Sequence, residues 1–164
     1  MNRKLHISLL LILGLTLSAC SNKEVVVADT TDTATDNAYG TGLSEAELRA
    51  LGINGNPLDY KTVYFEYNSS GMDRRSTVIV DAHGRYLSNN SAEVNLAGHA
   101  DERGSRDYNL ALGERRSNTV SDRMSASGAN SGDLSTISYG EERPVDSSHS
   151  EAAWQKNRRV EISY

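Results

Sequence analysis

The chain is poor in the residues that staple, stiffen or stack. Among 164 residues there are one cysteine, two prolines, one tryptophan and one phenylalanine. With Cys20 as the sole cysteine, no internal disulfide framework can form, even in an oxidising compartment. The longest apolar run, from about Ile7 to Leu17, is shorter than the ~20 residues a helix needs to cross a bilayer. Basic residues number 17 against 22 acidic ones, and aromatics make up 6% of the chain. That balance suits neither nucleic acid nor an anionic membrane surface as a partner. Catalytic signatures are missing too. His83, His99 and His149 show no HExxH or other paired ligand spacing, and there is no Gly-x-Ser-x-Gly elbow. The composition therefore predicts a chain without metal, cofactor or catalytic nucleophile, and no internal repeat is visible.

What is present begins with an address. Arg3 and Lys4 precede the apolar run, which ends in Leu17-Ser18-Ala19-Cys20. Charge, length and small residues read as a signal peptide over 1–19, with Cys20 as a lipidation site of the bacterial lipobox kind. Several acyl chains on that thiol, at ~0.8 kcal/mol per buried CH₂, exceed what stable anchoring requires. Ser21 after the cysteine favours sorting to the outer membrane. Loss of 1–19 removes Arg3 and Lys4 and no acid, leaving 15 basic against 22 acidic residues, a net charge of −7.

Residues 20–57 read as a tether. The segment DTTDTATDNA is low in complexity and offers nothing to bury. About 35 such residues span roughly 30–35 Å as a flexible coil and over ~100 Å if pulled straight. Ser44-Glu45-Ala46-Glu47 is a capping-box pattern, expected to open no more than a transient turn of helix before Gly52. Residues 58–164 suffice for one domain. Val63, Phe65 and Tyr67 alternate as a strand, and Val78, Ile79, Ala82, Tyr86 and Leu87 recur at helical spacing. Val94 and Leu96 mark a second strand, followed by a helix over 107–127. Ile137 and Tyr139 mark a third strand, 151–156 a short helix, and Val160, Ile162 and Tyr164 a final strand. Alternation of this kind predicts an α/β or α+β sandwich, with helices packed on one sheet.

The richest segment is GHADERGSRDYNLALGERR, from Gly98 to Arg116. It leaves a strand, passes a charged loop holding Asp101, and enters a helix carrying Arg115 and Arg116. At about 100° per residue, Tyr108, Leu112 and Arg116 form one row, continued by Thr119 and Val120. An arginine on an apolar stripe loses water and must find a partner, because an unpaired buried charge costs several kcal/mol. Either a protein acid such as Asp101 neutralises it, or a ligand does. A ligand carrying both a cation and a carboxylate would meet Asp101 and Arg116 as two poles. Gly98, Gly104 and Gly113 read as sites of a tight turn or close backbone approach. Trp154 reads as core or rim.

Together with Tyr139-Gly140, Glu151-Ala152-Ala153 and Asn157-Arg158-Arg159, this segment resembles the OmpA-like peptidoglycan-binding domain family, in the branch formed by the lipoproteins of the Tol–Pal system. The resemblance covers about residues 60–164. It implies an α+β fold, the family's β-α-β-α-β sandwich with helices on a mixed sheet, and a non-enzymatic wall anchor facing the periplasm. The implied ligand is the diaminopimelate of the peptidoglycan stem peptide. Carried over by position, Asp101 would accept from its ammonium and Arg116 would grip its carboxylate through two parallel N–H bonds. Leu112 would pack on its methylenes, with Tyr67 and Asn68 beside it. Family members often have an aspartate where Asn68 stands, so the charge there is lost. Asn109, Arg115, Arg158 and Arg159 are implied supports. Implied partners are peptidoglycan, TolB and other Tol components, and the outer membrane through acyl chains on Cys20. Flagellar stator subunits and large porins carry the same module, but they require a membrane helix or a barrel of many strands.

Overall fold

A computed structural model describes residues 40–164; the expected signal peptide, Cys20 and the low-complexity stretch to residue 39 lie outside the described part. In chain order the elements are α1 (Glu45–Ala50), β1 (Thr62–Tyr64), α2 (Arg74–Asn89), β2 (Val94–His99), α3 (Arg106–Ala126), β3 (Leu134–Gly140), α4 (Glu151–Asn157) and β4 (Arg159–Ser163). The strands form one sheet in the order β1-β4-β2-β3. β4 runs antiparallel to both neighbours, while β2 and β3 are parallel. This is the expected α+β arrangement with a mixed sheet.

The apolar residues of β1, β2 and β4 alternate as a one-sided sheet requires. Val63, Val94, Leu96, Val160 and Ile162 face α2 and α3 and join Ile79, Val80, Val120 and Met124 in a single core. On α3 the buried stripe is Asn109, Leu112, Gly113, Arg116, Ser117, Val120 and Met124. It is rotated from the expected row, so that Tyr108 is 42% exposed on its edge. The rotation has a steric cause. A Cβ placed on Gly98 of β2 would lie 1.9 Å from the Gly113 carbonyl oxygen, so helix and strand touch backbone to backbone there. Only paired glycines allow that approach, and it draws the Gly113 side of α3 inward.

Two expectations are corrected. β1 stops at Tyr64, and Tyr67 lies in a turn rather than on the strand. Ser69 donates its N–H to the Glu66 carbonyl at 3.2 Å, and Asn68 adopts φ +53°, a left-handed conformation that asparagine tolerates. The helix at 44–51 is also more than a transient turn. Ser44 and Glu47 complete the capping box, and Leu48 and Ile53 are buried in the same core as the sheet. Burial of that apolar pair stabilises a helix too short to persist alone. The packed part of the chain therefore begins ahead of residue 58.

Candidate ligand-binding site

Three segments converge at the end of the sheet where β1 and β2 finish: the turn at 66–69, the loop at 100–105, and the first turns of α3. They enclose a cavity of about 320 Å³ lined by Tyr67, Asn68, Asp101, Arg103, Tyr108, Asn109, Leu112, Arg116 and Arg158, with Gly104 completing the wall. Gly104 takes φ +118°, which lets the loop double back into α3. Ser105 caps that helix, its side chain accepting from the Tyr108 N–H.

Arg116 is fully buried at the back of the cavity. Its Nε donates to the Ser69 carbonyl at 2.8 Å, Nη1 to the His99 carbonyl at 2.7 Å, and Nη2 to the Glu66 carbonyl at 3.1 Å. The guanidinium thus ties the end of β2 to the turn after β1, using neutral oxygens throughout. Burial, with Arg158 nearby, pushes its pKa down to about 10, and Asp101 only partly offsets this.

Asp101 is buried too, and it does not pair with Arg116. Its carboxylate receives Arg103 Nε at 3.1 Å and Nη2 at 2.7 Å, the Arg103 backbone N–H at 3.0 Å, and Arg158 Nη1 at 3.2 Å. Burial alone would raise its pKa, yet the Arg103 and Arg158 bonds outweigh burial and hold it below the usual carboxylate value. Arg158 also donates Nε to the Phe65 carbonyl at 3.0 Å and Nη1 to Glu151 at 3.0 Å.

The structure brings Asp101, Arg116, Leu112, Asn68 and Tyr67 to one cavity, with Asn109 and Arg158 in its wall. Two expected supports stand elsewhere. Arg115 is exposed on α3, 5.6 Å from the Tyr108 ring centroid, because one residue on a helix turns it away from Arg116. Arg159 lies on the sheet face away from the helices, paired with Glu161 at 2.6 Å. One participant was missed. Arg103 chelates Asp101 while its guanidinium lies between the rings of Tyr67 and Trp154, 4.1 Å from each centroid. Its spacing of two from Asp101, inside the quoted motif, was the available signal. Trp154 is a rim residue that donates to Glu102 at 2.7 Å. The Tyr108 hydroxyl bonds Asn68 Oδ1 across the cavity mouth.

A model of the OmpA family matches residues 64–158, more than half of the chain. The chain belongs to the OmpA family. It is 42% identical to the peptidoglycan-associated lipoprotein of Pseudomonas aeruginosa over 123 residues, covering 75% of this chain and 68% of that protein. Its likeness to the peptidoglycan-associated lipoprotein of Haemophilus influenzae is 38% over 151 residues, 90% of each. Among solved structures, the peptidoglycan-associated lipoprotein of Burkholderia pseudomallei superposes with a TM-score of 0.64 at 34% identity, over 67% of this chain and 94% of that one. The OmpA-family region thus contains every residue of the cavity wall, from Tyr67 to Arg158.

Proposed function

We propose that this OmpA-family chain is an envelope lipoprotein that holds peptidoglycan non-covalently, through the diaminopimelate of the stem peptide seated in the cavity at Arg116. The observation that carries the reading is a buried guanidinium with no acid bonded to it among the described residues. Arg116 spends its hydrogen bonds on three carbonyls, all neutral, at the back of an open cavity. A ligand carboxylate supplies the missing countercharge, and the planar fork fits it better than an ammonium would. Leu112 offers the apolar wall for the methylenes leading to that carboxylate. Charge-assisted bonds contribute ~1.5–3 kcal/mol each, enough for modest and reversible attachment. Many copies on one sheet of wall convert modest affinity into firm anchoring.

The names of the relatives support association with peptidoglycan and a non-enzymatic role. Lipidation at Cys20, anchoring to the outer membrane, and partnership with TolB and other Tol components belong to the same proposal, on the strength of the lipobox pattern and the resemblance. The test is co-sedimentation of the full chain, held in detergent, with two purified walls. Pelleting with diaminopimelate-type peptidoglycan and not with lysine-type, which lacks the extra carboxylate, is the expected result. Equal pelleting with both walls refutes the ligand assignment.

A further inference from the structure

The two edges of the sheet are finished differently. With the order β1-β4-β2-β3, β1 and β3 each have one side without a strand partner among the described residues. β1 is three residues long, too short to template another strand. β3 is Leu134-Ser135-Thr136-Ile137-Ser138-Tyr139-Gly140, the longest of the strands described. It lacks the devices that protect an edge, having neither charge nor proline, and its pairing with β2 is irregular only at the Gly140 end. Leu134, Thr136 and Ser138 are in register with Val94, Leu96 and Gly98, on the side that meets α3, and Ser138 Oγ donates to the Leu110 carbonyl at 2.6 Å. Ser135, Ile137 and Tyr139 therefore point to the helix-free face. Ile137 is 46% exposed there, and Leu110 is exposed beside the strand on the helix side.

Charge stands at the two ends of the strand instead, with opposite signs. Asp133 directly precedes β3. Arg143 follows it, with its guanidinium 3.8 Å from the Tyr139 ring centroid. Neither forms an ion pair among the described residues. The acids between them are occupied: Glu141 accepts from Asn109 Nδ2, and Glu142 from Arg106 Nε at 2.6 Å. A second β3 laid antiparallel with Ile137 on the two-fold axis sets Ile137 against Ile137, and Ser135 against Tyr139. Residues of the same face then meet, so the helices of both copies stay on one side. The same register carries Asp133 of each copy, two residues beyond Ser135, to the Tyr139 end of the other, where Arg143 lies. A neutral middle with opposite charges at its ends is self-complementary, as an isologous contact requires.

We propose that the β3 edge binds a second copy of this chain, joining the two sheets edge to edge. Backbone hydrogen bonds at about one per residue, the cross-strand Ile137 pair and two Asp133–Arg143 ion pairs hold it. An edge about 23 Å long makes a small interface, so the dimer is weak and reversible. The inference is independent of the ligand reading above. In the full chain, held in detergent, Cys20→Ser with Ile137→Cys leaves one thiol, on the proposed axis. Val145→Cys in the same background, exposed and off the strand, is the comparison. Each variant is first checked for the wild-type thermal transition. Mild oxidation is expected to give disulfide-linked dimer from Ile137→Cys at about tenfold the yield from Val145→Cys. Adding Asp133→Arg or Arg143→Asp should lower that yield about threefold or more by setting like charges together, and both changes in one chain should restore it. Sedimentation of the same charge series without the added cysteine reads the dimer a second way. A yield from Ile137→Cys no higher than from Val145→Cys overturns the proposal and leaves the edge to a strand of another protein. Dimer that charge reversal leaves unchanged overturns it as well.

Discussion

The middle and the C-terminal end of α3 each set an arginine against a neighbour, and they do so in opposite ways. Toward its C-terminus, Arg123 chelates Asp81 of α2 with Nε at 2.5 Å and Nη2 at 2.6 Å, and Ser127 adds a third bond at 2.6 Å. Burial would raise the Asp81 pKa, but Arg123 and Ser127 outweigh it and hold it below the usual value. That site is a neutralised ion pair. At the middle of the helix, Arg116 has no bonded acid among the described residues and its pKa is depressed. The same residue type on the same helix is structural where it is neutralised, and free to meet an anion where it is not. Burial differs too, since Arg116 is fully buried and the Arg123 side chain is 44% exposed, but it is the identity of the bonded oxygens that sets the charge balance.

The largest effect that can break this comparison is on wall binding. Arg116→Ala is expected to lose ~2–5 kcal/mol of affinity for diaminopimelate-type peptidoglycan in co-sedimentation, while Arg123→Ala leaves binding unchanged. Equal losses in the two variants would erase the distinction. Each variant is first checked for folding by its thermal transition, since Arg116 also joins the 66–69 turn to β2.

A second effect, on stability, is expected with pH. His99, whose carbonyl holds Arg116, is buried with neither ring nitrogen hydrogen-bonded among the described residues. Burial and the Arg159 guanidinium, with Arg143 adding and Glu161 opposing, push its pKa down to about 4. The folded value lies below the unfolded one, so the neutral ring stabilises the fold above the unfolded pKa of ~6.5, and that contribution is lost as pH falls toward the folded pKa. Urea unfolding should show up to about 3 kcal/mol lost over that window, and His99→Phe should lose less. His83, also depressed by burial, adds a loss of the same sign that the variant retains. A variant that parallels wild type would refute the assignment to His99.

The smallest effect sharpens the neutralised end. Asp81→Asn is expected to cost about 1–2 kcal/mol, moderated because the Arg123 side chain is 44% exposed, and to leave wall binding intact. Since the folded pKa of Asp81 is depressed, its contribution is present above about pH 4 and lost as pH falls through the folded value. The difference between variant and wild type should therefore shrink in urea titrations toward pH 3.

Much of the fold was legible because its signals are local. Helical and strand periods placed α2, α3, α4 and β4 within a few residues, and Ser44-Glu45-Ala46-Glu47 announced α1 together with its cap. What the pattern missed was whether α1 would hold. That depends on Leu48 and Ile53 meeting the core, a contact between distant segments. β1 was read too long because alternation continues through Tyr67 although the backbone turns at Asn68.

The cavity residues were legible as residue types in one motif, and their partners were not. From Gly98 to Arg116 the chain places an acid and a buried cation near one another, and helical spacing alone sends Arg116 inward and Arg115 outward. Which arginine takes Asp101 is a different question. It was settled by the rings of Tyr67 and Trp154, from segments far apart in sequence, which fix Arg103 in place, and by Arg158 arriving at the start of β4. The sequence by itself determined most of the elements, the inward arginine and the acid beside it, because periodicity and capping act over a few residues. Only the tertiary structure decided that Asp101 is already neutralised and Arg116 is not, because hydrogen bonds are made over about 3 Å and that distance is set by packing.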